Sequence, residues 1–167
     1  MKTPRTWSSF VHSARFASVT IALVLAAAAS TARAEDSGLV VIVGKNNPMS
    51  DISRADLRRA FSGDPILVGG KALVPFNMAP ASTERQAFDH AVLGMSPDEA
   101  NKFWIDRRIR GQGAPPKSAP SLEVVGKVVA NFPNAIGYAP AAAIPAGAKA
   151  ITIDGKAPGS PDYLPKK

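Results

Sequence analysis

Small polar residues that could hold an anion follow an apolar segment near the middle of the sequence. Residues 73–77 are largely apolar, a loop of small residues follows, and Ser82 stands where a helix N-cap is expected. A helix N-terminus beyond the carboxyl end of a strand offers unpaired N–H groups and a positive dipole end to an anion. We therefore expect Ala81, Ser82 and Thr83 to hold an oxyanion. The alternative is that Ser82 only caps its own helix, as serine usually does at this position.

A second group of residues with binding chemistry is the arginine cluster around residue 110. Arg107, Arg108 and Arg110 precede a loop rich in glycine and proline, at the expected end of a helix. Cations in a last helical turn interact favourably with the helix dipole, so a solvated helix end explains the cluster. The alternative is that Arg110 reaches over the anion site.

Residues for enzymatic chemistry are scarce. His90 is the only histidine after residue 34, and no G-x-S-x-G nucleophile elbow is present. Histidine, cysteine and carboxylate residues do not cluster at the spacings that metal sites use. The segment Gly111-Gln112-Gly113 lacks the third glycine and the strand-turn-helix setting of a dinucleotide loop. The sequence therefore predicts a protein that is not an enzyme and that has no metal site and no cofactor.

The first 34 residues have the pattern of a secretory signal peptide. Lys2, Arg5 and Arg15 form a basic region, residues 16–29 are apolar, and Ala32-Arg33-Ala34 matches an A-x-A cleavage site. The apolar stretch is shorter than the roughly 20 residues that span a bilayer. We therefore expect cleavage after residue 34 and a mature protein that is periplasmic and does not itself span the membrane.

Net charge and cysteine content narrow the class of partner. The formal net charge is +7 at pH 7, but the predicted signal peptide holds several basic residues and no acidic one. The mild excess of positive charge that remains favours small anions and gives no basis for nucleic-acid binding. The sequence has no cysteine, which excludes disulfides, thiolate metal sites and a lipid anchor on cysteine.

The elements that must position these residues alternate between strands and helices. Apolar runs predict strands at residues 39–43, 73–77, 135–138 and 150–153. Serines at N-cap positions predict helices that begin after Ser53, Ser82, Ser96 and Ser121. Gly94 predicts the end of the helix that begins after Ser82. The unbroken run at 39–43 is typical of a strand in a parallel sheet that is covered on both faces. The prediction is an α/β fold, a three-layer sandwich with a mainly parallel sheet.

Two segments are less regular. Residues 66–72, which contain Gly69-Gly70, are compatible with a hairpin or with pieces of one irregular strand. Residues 156–167 are rich in proline, glycine and lysine, so we expect a loose C-terminal tail. Residues 35–155 are then the single folded domain.

Several segments together resemble the phosphate-binding component of phosphate ABC transporters. They are residues 57–63 (LRRAFSG), 74–88, 103–104 (FW), 111–116 (GQGAPP) and 132–138 (FPNAIGY). More closely, the chain resembles small single-lobe proteins of that superfamily, known as phosphate ABC transporter substrate-binding-like or periplasmic binding protein-like domain proteins. The resemblance covers about residues 40–138. It implies one lobe of a type II periplasmic binding protein fold, solute binding without catalysis, and no cofactor.

The resemblance also points to the loop at residues 79–84. In the phosphate binders this loop reads Ser-Asp-Gly-Ser-Gly-Thr after an arginine pair, and it holds the phosphate. Ser82 keeps the serine position, whereas Asn77 and Met78 stand where the arginines would be. Glu84 takes the threonine place, and its carboxylate competes with an anion for the same N–H groups.

Other cations must then replace the missing guanidinium, which would give a charge-assisted bidentate contact. Arg85, Lys45 and Arg110 are the candidates. The complete predicted ligand-binding set is Asn77, Ala81, Ser82, Thr83, Arg85, Lys45 and Arg110.

Two functions follow. The first is an exported solute-binding protein for a small, phosphate-like anion that serves ABC-type uptake. A lone lobe offers an open shelf and binds weakly unless it forms a homodimer or docks on a partner. The second is a periplasmic interaction or sensory accessory protein that has kept the fold, has lost the ligand, and presents the sheet end to a membrane transporter or sensor.

Overall fold

The computed structural model describes residues 38–164, so the predicted signal peptide lies outside the described residues. In chain order the elements are β1 (Leu39–Gly44), β2 (Asp51–Ile52), α1 (Arg54–Phe61), β3 (Leu67–Val68), β4 (Lys71–Ala72), β5 (Val74–Asn77), α2 (Thr83–Phe88), a π-helix (Asp89–Leu93), α3 (Pro97–Ile109), β6 (Lys117–Ser118), α4 (Leu122–Asn131), β7 (Ala135–Pro140), a 3₁₀ helix (Ala141–Ala143), β8 (Ala148–Ala150) and β9 (Thr152–Ile153). Within this range, no helix combines the length and apolar character needed to cross a bilayer.

Five strands form the central sheet, in the order β6, β5, β7, β1, β8. β5 pairs in parallel with both β6 and β7, whereas β1 is antiparallel to both of its neighbours, β7 and β8. All strands of this sheet except β1 therefore run in one direction. The predicted α/β fold with a mainly parallel sheet is confirmed, but the expectation that β1 runs parallel to its neighbours is wrong. Its unbroken apolar run reflects burial on both faces, which helices provide whatever the strand direction.

Helices cover both faces of this sheet. A Cβ atom on Gly137 of β7 would lie 2.8 Å from a methyl carbon of Val125, so α4 packs directly on this face. The next residue, Tyr138, stacks on Phe88 of α2 with ring centroids 3.8 Å apart. Because successive side chains of a strand point to opposite faces, α4 and α2 lie on opposite sides of the sheet. This arrangement is the predicted three-layer sandwich.

Serine side chains cap the start of each α-helix within residues 38–164. The hydroxyls of Ser53, Ser82, Ser96 and Ser121 each accept a hydrogen bond from the N–H three residues further on. Ser96 is part of a full capping box, because the Glu99 carboxylate accepts in return from the Ser96 N–H at 2.8 Å. The four predicted helix starts are confirmed.

The helix that begins after Ser82 changes geometry after Phe88. Residues Asp89–Leu93 form a π-helix, and Gly94 ends it with a φ of 72°, in the left-handed region where glycine carries no Cβ penalty. The predicted stop at Gly94 is confirmed. The π-helical turn was not predicted, since one wider turn leaves no mark in the apolar periodicity of so short a segment.

β3 and β4 form a hairpin with Leu67 opposite Ala72. Gly69 and Gly70 occupy its turn, both with positive φ, which is the backbone shape that a two-residue hairpin turn requires. Of the two alternatives for residues 66–72, the hairpin is therefore the one that forms.

Tyr163 anchors the segment that follows residue 155. Its ring is buried, and its hydroxyl accepts from the Val41 N–H at 3.0 Å and donates to the Ile151 carbonyl oxygen at 2.6 Å. The expectation of a loose tail is therefore wrong for residues 156–164. The prolines and glycines of this segment favour turns, whereas the buried side chain of Tyr163 fixes the segment against the rest of the fold.

Alkaline pH tests the burial of the tyrosines. The sequence contains two, Tyr138 and Tyr163, and both are buried. Burial raises the pKa of both phenols from the ordinary value of 10.0, to about 12 for Tyr163. The folded state holds these protons more tightly than the unfolded state, so their contribution to stability is complete below pH 10.0 and is lost as the pH rises through about 12. We expect tyrosinate absorbance to appear together with unfolding in circular dichroism, and gradual ionisation of the folded protein would contradict this.

Removal of the Tyr163 hydroxyl tests whether this group holds the C-terminal segment in place. Tyr163→Phe leaves the buried Val41 N–H without its acceptor, so we expect the free energy of unfolding in urea to fall by about 1–3 kcal/mol. Asp162→Ala, at an exposed neighbouring position, is the matched control and should change it by less than about 0.5 kcal/mol. Equal effects of the two substitutions would mean that the hydroxyl does not hold the segment.

Candidate anion-binding site

The candidate site lies where β5 and β6 end. Asn77 of β5 pairs with Ser118 of β6, and the Ala119 N–H donates to the Asn77 carbonyl oxygen at 2.8 Å. After β5 the chain enters α2 on one face of the sheet, and after β6 it enters α4 on the other. Neighbouring parallel strands whose connections leave to opposite faces open a crevice at their carboxyl ends, where α/β sheets usually bind ligands.

Both helices at this crevice begin with a serine cap. The Ser82 hydroxyl accepts from the Arg85 N–H at 3.2 Å, and the Ser121 hydroxyl accepts from the Val124 N–H at 3.3 Å. The Ser82 N–H itself donates to the Ala79 carbonyl oxygen at 2.9 Å. Ser82 therefore has the capping role that was the alternative interpretation, and its hydroxyl proton is what remains to donate to a ligand.

Two backbone N–H groups at the start of α2 are left for a ligand. Within residues 38–164, the N–H groups of Thr83 and Glu84 have no hydrogen-bond acceptor, as is normal in the first turn of a helix. The Glu84 carboxylate accepts from the Thr83 hydroxyl at 3.3 Å and from no backbone amide of the described chain. We call these two N–H groups, with the hydroxyls of Ser82 and Thr83, the amide shelf.

Arg85 and Asn77 bind each other instead of facing the shelf. The Arg85 Nε donates to the Asp89 Oδ2 at 2.6 Å, with the two side chains only 9% and 8% exposed. The Asn77 amide oxygen faces the guanidinium, at 2.7 Å from Nη1 and 3.3 Å from Nη2. Asn77 is itself buried. The expected role of Arg85 and Asn77 as ligand-binding side chains is therefore corrected to a structural one, which fixes the end of β5 to α2.

Burial destabilises the charged form of the Asp89 carboxylate in this pair. Burial raises the pKa of the Asp89 carboxyl, and the charge of Arg85 and its hydrogen bond oppose that rise. The Asp89 Oδ1 atom is buried and has no partner in the described part of the chain. Each buried charge is compensated by the other, so the removal of either partner should lower the free energy of unfolding.

An aromatic cluster supports the loop that leads to the shelf. The Tyr138 hydroxyl accepts from the N–H of Met78, the first residue after β5, at 3.0 Å. Phe88 stacks on Tyr138, and Phe61 of α1 meets Phe88 edge-on with ring centroids 4.6 Å apart. The start of the loop is thereby tied to β7, and the end of α2 is packed on the same ring.

Lys45 lies at the wrong end of the sheet for the predicted site. Val43 of β1 pairs with Ile136, and Ile136 also pairs with Pro75 near the start of β5. β1 is reversed, so the residues after Val43 continue beyond the starts of β5 and β7. Lys45 is therefore separated from Asn77 by the length of β5, which corrects its place in the predicted set.

Arg110 is held on its own helix. Its Nε donates to the Asp106 carboxylate at 2.9 Å in an exposed ion pair one helical turn away, and the neighbouring Arg107 donates to Asp64 at 3.1 Å. The exposed pair of Arg110 matches the interpretation of a solvated helix end, whereas the Arg107 side chain is only 17% exposed. Within residues 38–164, these contacts hold Arg107 and Arg110 away from the amide shelf.

Two exposed residues at the crevice were not predicted. Strand register places Lys117 beside Phe76 and Ser118 beside Asn77, and because paired residues share a face, Ser118 points to the same side as Asn77. β6 is two residues long, too short for periodicity, and it follows a proline-rich loop. No signal in the sequence could have identified it as a neighbour of β5.

The arrangement of side chains supports binding chemistry. Within residues 38–164, no group of three or more His, Cys, Asp or Glu residues comes together as metal ligands would. Ser82 is hydrogen-bonded to a backbone amide, whereas a nucleophilic serine would contact a base. The site is thus a surface of backbone N–H groups and hydroxyls, with Lys117 an exposed cation on the neighbouring strand β6.

Disruption of the buried ion pair tests its structural role. Asp89→Leu leaves the Arg85 charge buried and unpaired, so we expect the free energy of unfolding to fall by about 3–5 kcal/mol. The double substitution Arg85→Leu with Asp89→Leu should recover most of that loss. Asp106→Ala breaks the exposed pair with Arg110, which has the same spacing, and should cost less than about 1 kcal/mol. Urea unfolding of the variants measures these values, and a small effect of Asp89→Leu would contradict the assignment.

Comparison with solved structures identifies the fold. An ABC-type phosphate transport receptor from Vibrio cholerae superposes with a TM-score of 0.57 at 18% identity, over 72% of this chain and 48% of the receptor. A protein described as a phosphate ABC transporter substrate-binding protein, from Clostridium perfringens and with phosphate bound, gives 0.56 at 21% identity, over 72% and 46%. PstS from Borrelia burgdorferi gives 0.52 at 18% identity, over 76% and 53%.

Sequence comparison adds nothing to this similarity. No family model matches the chain, and no curated protein matches it either. The chain spans about half the length of the solved proteins it resembles. Over most of its length, it therefore has an α/β fold that these receptors also contain.

Proposed function

We propose that this chain is an exported, non-enzymatic binding protein for a small oxyanion of the phosphate type. The amide shelf is the observation that carries the proposal. It places two unpaired N–H groups and two hydroxyls at a helix start, in the crevice beyond β5 and β6. The structural neighbours support the choice of anion, because they are phosphate transport receptors and one of them contains phosphate.

The charges around the shelf favour weak binding. The Arg85 guanidinium is engaged with Asp89 and Asn77, so it supplies no charge-assisted contact to a ligand. Glu84 brings a carboxylate into the first helical turn, where it repels an anion. Lys117 is exposed and supplies positive charge from the neighbouring strand. Hydrogen bonds from neutral donors therefore do most of the binding.

Residues 38–164 offer the ligand a single wall, which has the same consequence. A binding site buries most of its ligand when two walls close on it, whereas a single lobe leaves one side of the ligand in water. We expect millimolar affinity for the isolated chain, and a tighter site where a second copy or a membrane transporter covers the shelf. Delivery of the anion to an ABC transporter is the role that fits the structural neighbours.

Export is the other part of the proposal. The basic region, the apolar stretch and the A-x-A motif of residues 1–34 support secretion to the periplasm, followed by cleavage before Glu35. Expression of the full sequence in a Gram-negative host should yield a periplasmic protein whose N-terminal residue is Glu35. Mass spectrometry of the purified product checks this. An intact N-terminus, or retention in the membrane fraction, would contradict export with cleavage.

Titration with an anion tests the shelf. We expect inorganic phosphate at about 10 mM to shift the backbone amide resonances of Thr83 and Glu84, since their N–H groups become hydrogen-bonded. Glu84→Gln should tighten binding by about twofold to fivefold, because it removes a negative charge from the first turn. Lys117→Ala should weaken binding by a similar factor.

Lys45→Ala is the matched control for this titration, since Lys45 is an exposed lysine at the opposite end of the sheet. Its affinity for phosphate should equal that of the unchanged protein. If Lys45→Ala weakens binding as much as Lys117→Ala, the attraction is a property of the net charge and not of the shelf. Absence of any shift at Thr83 and Glu84 would refute the proposal.

A periplasmic accessory role is the second candidate, favoured by one observation. Ile105 and Ile109 lie four residues apart on α3 and are 57% and 79% exposed. Large apolar side chains at this spacing form one stripe on a helix, and such stripes commonly mark protein contacts. Substitution of both isoleucines by serine would abolish capture of a membrane partner under this alternative and would leave phosphate titration unchanged.

A further inference from the structure

A groove lies between α1 and the π-helix, apart from the amide shelf. Its volume is about 640 Å³, within the range of roughly 300–1,000 Å³ that is typical of sites for small organic ligands. It is lined by Arg54, Ala55, Arg58, His90, Ala91, Val92 and Gly94. The residues from α1 are spaced so that they share one face of that helix.

The π-helix forms one side of the groove. A π-helical turn is wider than an α-helical turn and displaces the residues within it, and such turns are frequent at functional sites. The other residues that line the groove are small, namely Ala55, Ala91 and Gly94, or apolar and buried, namely Val92. Apart from the arginines and His90, the groove is therefore lined by small or apolar residues.

The charged residues that line the groove are arginines. Arg54, Arg58 and His90 line it, and no acidic residue does so in the part of the chain that the structure describes. Arg54 is held in place, because its Nη2 donates to the carbonyl oxygens of Asp162 and Tyr163 at 2.7 and 3.0 Å.

The acidic residues around the groove are engaged elsewhere. Asp154 accepts from the Arg54 N–H at 3.0 Å, with its other oxygen 3.8 Å from the Arg54 Nε. Glu99 is occupied by the Ser96 N–H and hydroxyl, both at 2.8 Å. Arg58 is exposed and forms no ion pair within residues 38–164. The positive charge of Arg58 is therefore available to a ligand, and the His90 imidazole lines the same groove as a hydrogen-bonding group.

We propose that this groove is a second binding site, which takes a small organic molecule carrying two or more acidic groups on an apolar body. Arg54 and Arg58 lie one turn apart on α1, and His90 lines the groove from the π-helix, so the arginines hold one acidic group and the imidazole hydrogen-bonds a second. The apolar side chains of Ala55, Ala91 and Val92 contact the body of the molecule. A single phosphate ion would fill only a small part of the volume, which separates this site from the amide shelf.

Benzene-1,3,5-tricarboxylate is a suitable probe, because it combines an apolar ring with several carboxylates. We expect its titration into the purified protein to shift the backbone amide resonances of Ala55, Arg58, His90 and Ala91, and to leave those of Thr83 and Glu84 unchanged. Arg58→Ala should weaken binding in calorimetry by about tenfold, the scale of one lost charge-assisted contact. His90→Gln should weaken it in the same direction.

Arg59→Ala is the matched control. It removes the same charge from the adjacent residue of the same helix, but Arg59 does not line the groove and pairs with Asp56 at 3.4 Å. Its affinity for the probe should stay within about twofold of the unchanged protein. The thermal unfolding temperature of each variant without probe shows whether the fold is intact.

Three outcomes would overturn the proposal. One is the absence of resonance shifts in the groove at millimolar probe. Another is equal weakening by Arg58→Ala and Arg59→Ala, which would mean non-specific attraction to a basic helix. The third is binding in the groove by a glutamate-rich peptide but not by the tricarboxylate, which would assign the groove to an acidic protein partner. Phosphate binding at the amide shelf is measured by different resonances and stands or falls separately.

Discussion

The buried guanidinium of Arg85 is the constraint on which the site depends. It joins the last side chain of β5, Asn77, to Asp89 at the start of the π-helix. An ion pair in this position has lost its water and must be satisfied by fixed partners, so it holds the strand end and the helix in one geometry. That geometry presents the N–H groups of Thr83 and Glu84 to solvent. The same contact engages the Arg85 guanidinium in the interior, so its charge does not face the crevice.

Much of the architecture could be predicted from the sequence, because the signals are local. Serine at an N-cap and glycine at a helix end act through the backbone of a few residues, so Ser82, Ser96 and Gly94 were assigned correctly. The direction of β1 and the neighbours of β5 depend on contacts between distant segments. Apolar content shows that a strand is buried but does not show in which direction it runs. The predicted place of Lys45 at the anion site was therefore wrong for the same reason as the predicted direction of β1.

The candidate site was predicted less well than the fold, and the reason is physical. Sequence places Arg85 in the first turn after Ser82, where its charge looks available to a ligand. Whether a guanidinium faces water or the interior is decided by the partner that it meets, and that partner, Asp89, lies one turn later on the same helix. Such an i,i+4 pair is normally a solvated surface feature. Burial by the end of β5 and the aromatic cluster is what turns it into part of the core.

The segment from Ser82 to Gly94 gives the two faces of this lobe different chemistry. Its first turn offers neutral N–H groups at the crevice, its middle contributes Arg85 and Asp89 to the interior, and its last turn presents His90 to the groove beside α1. Asp89 and His90 are adjacent, yet one is buried and the other exposed. Because the inward carboxylate neutralises the inward guanidinium, the arginines of α1 set the charge of the groove. Neutral donors hold an anion more weakly than charged donors do, so the shelf and the groove differ in the strength of the anion contacts that they can make.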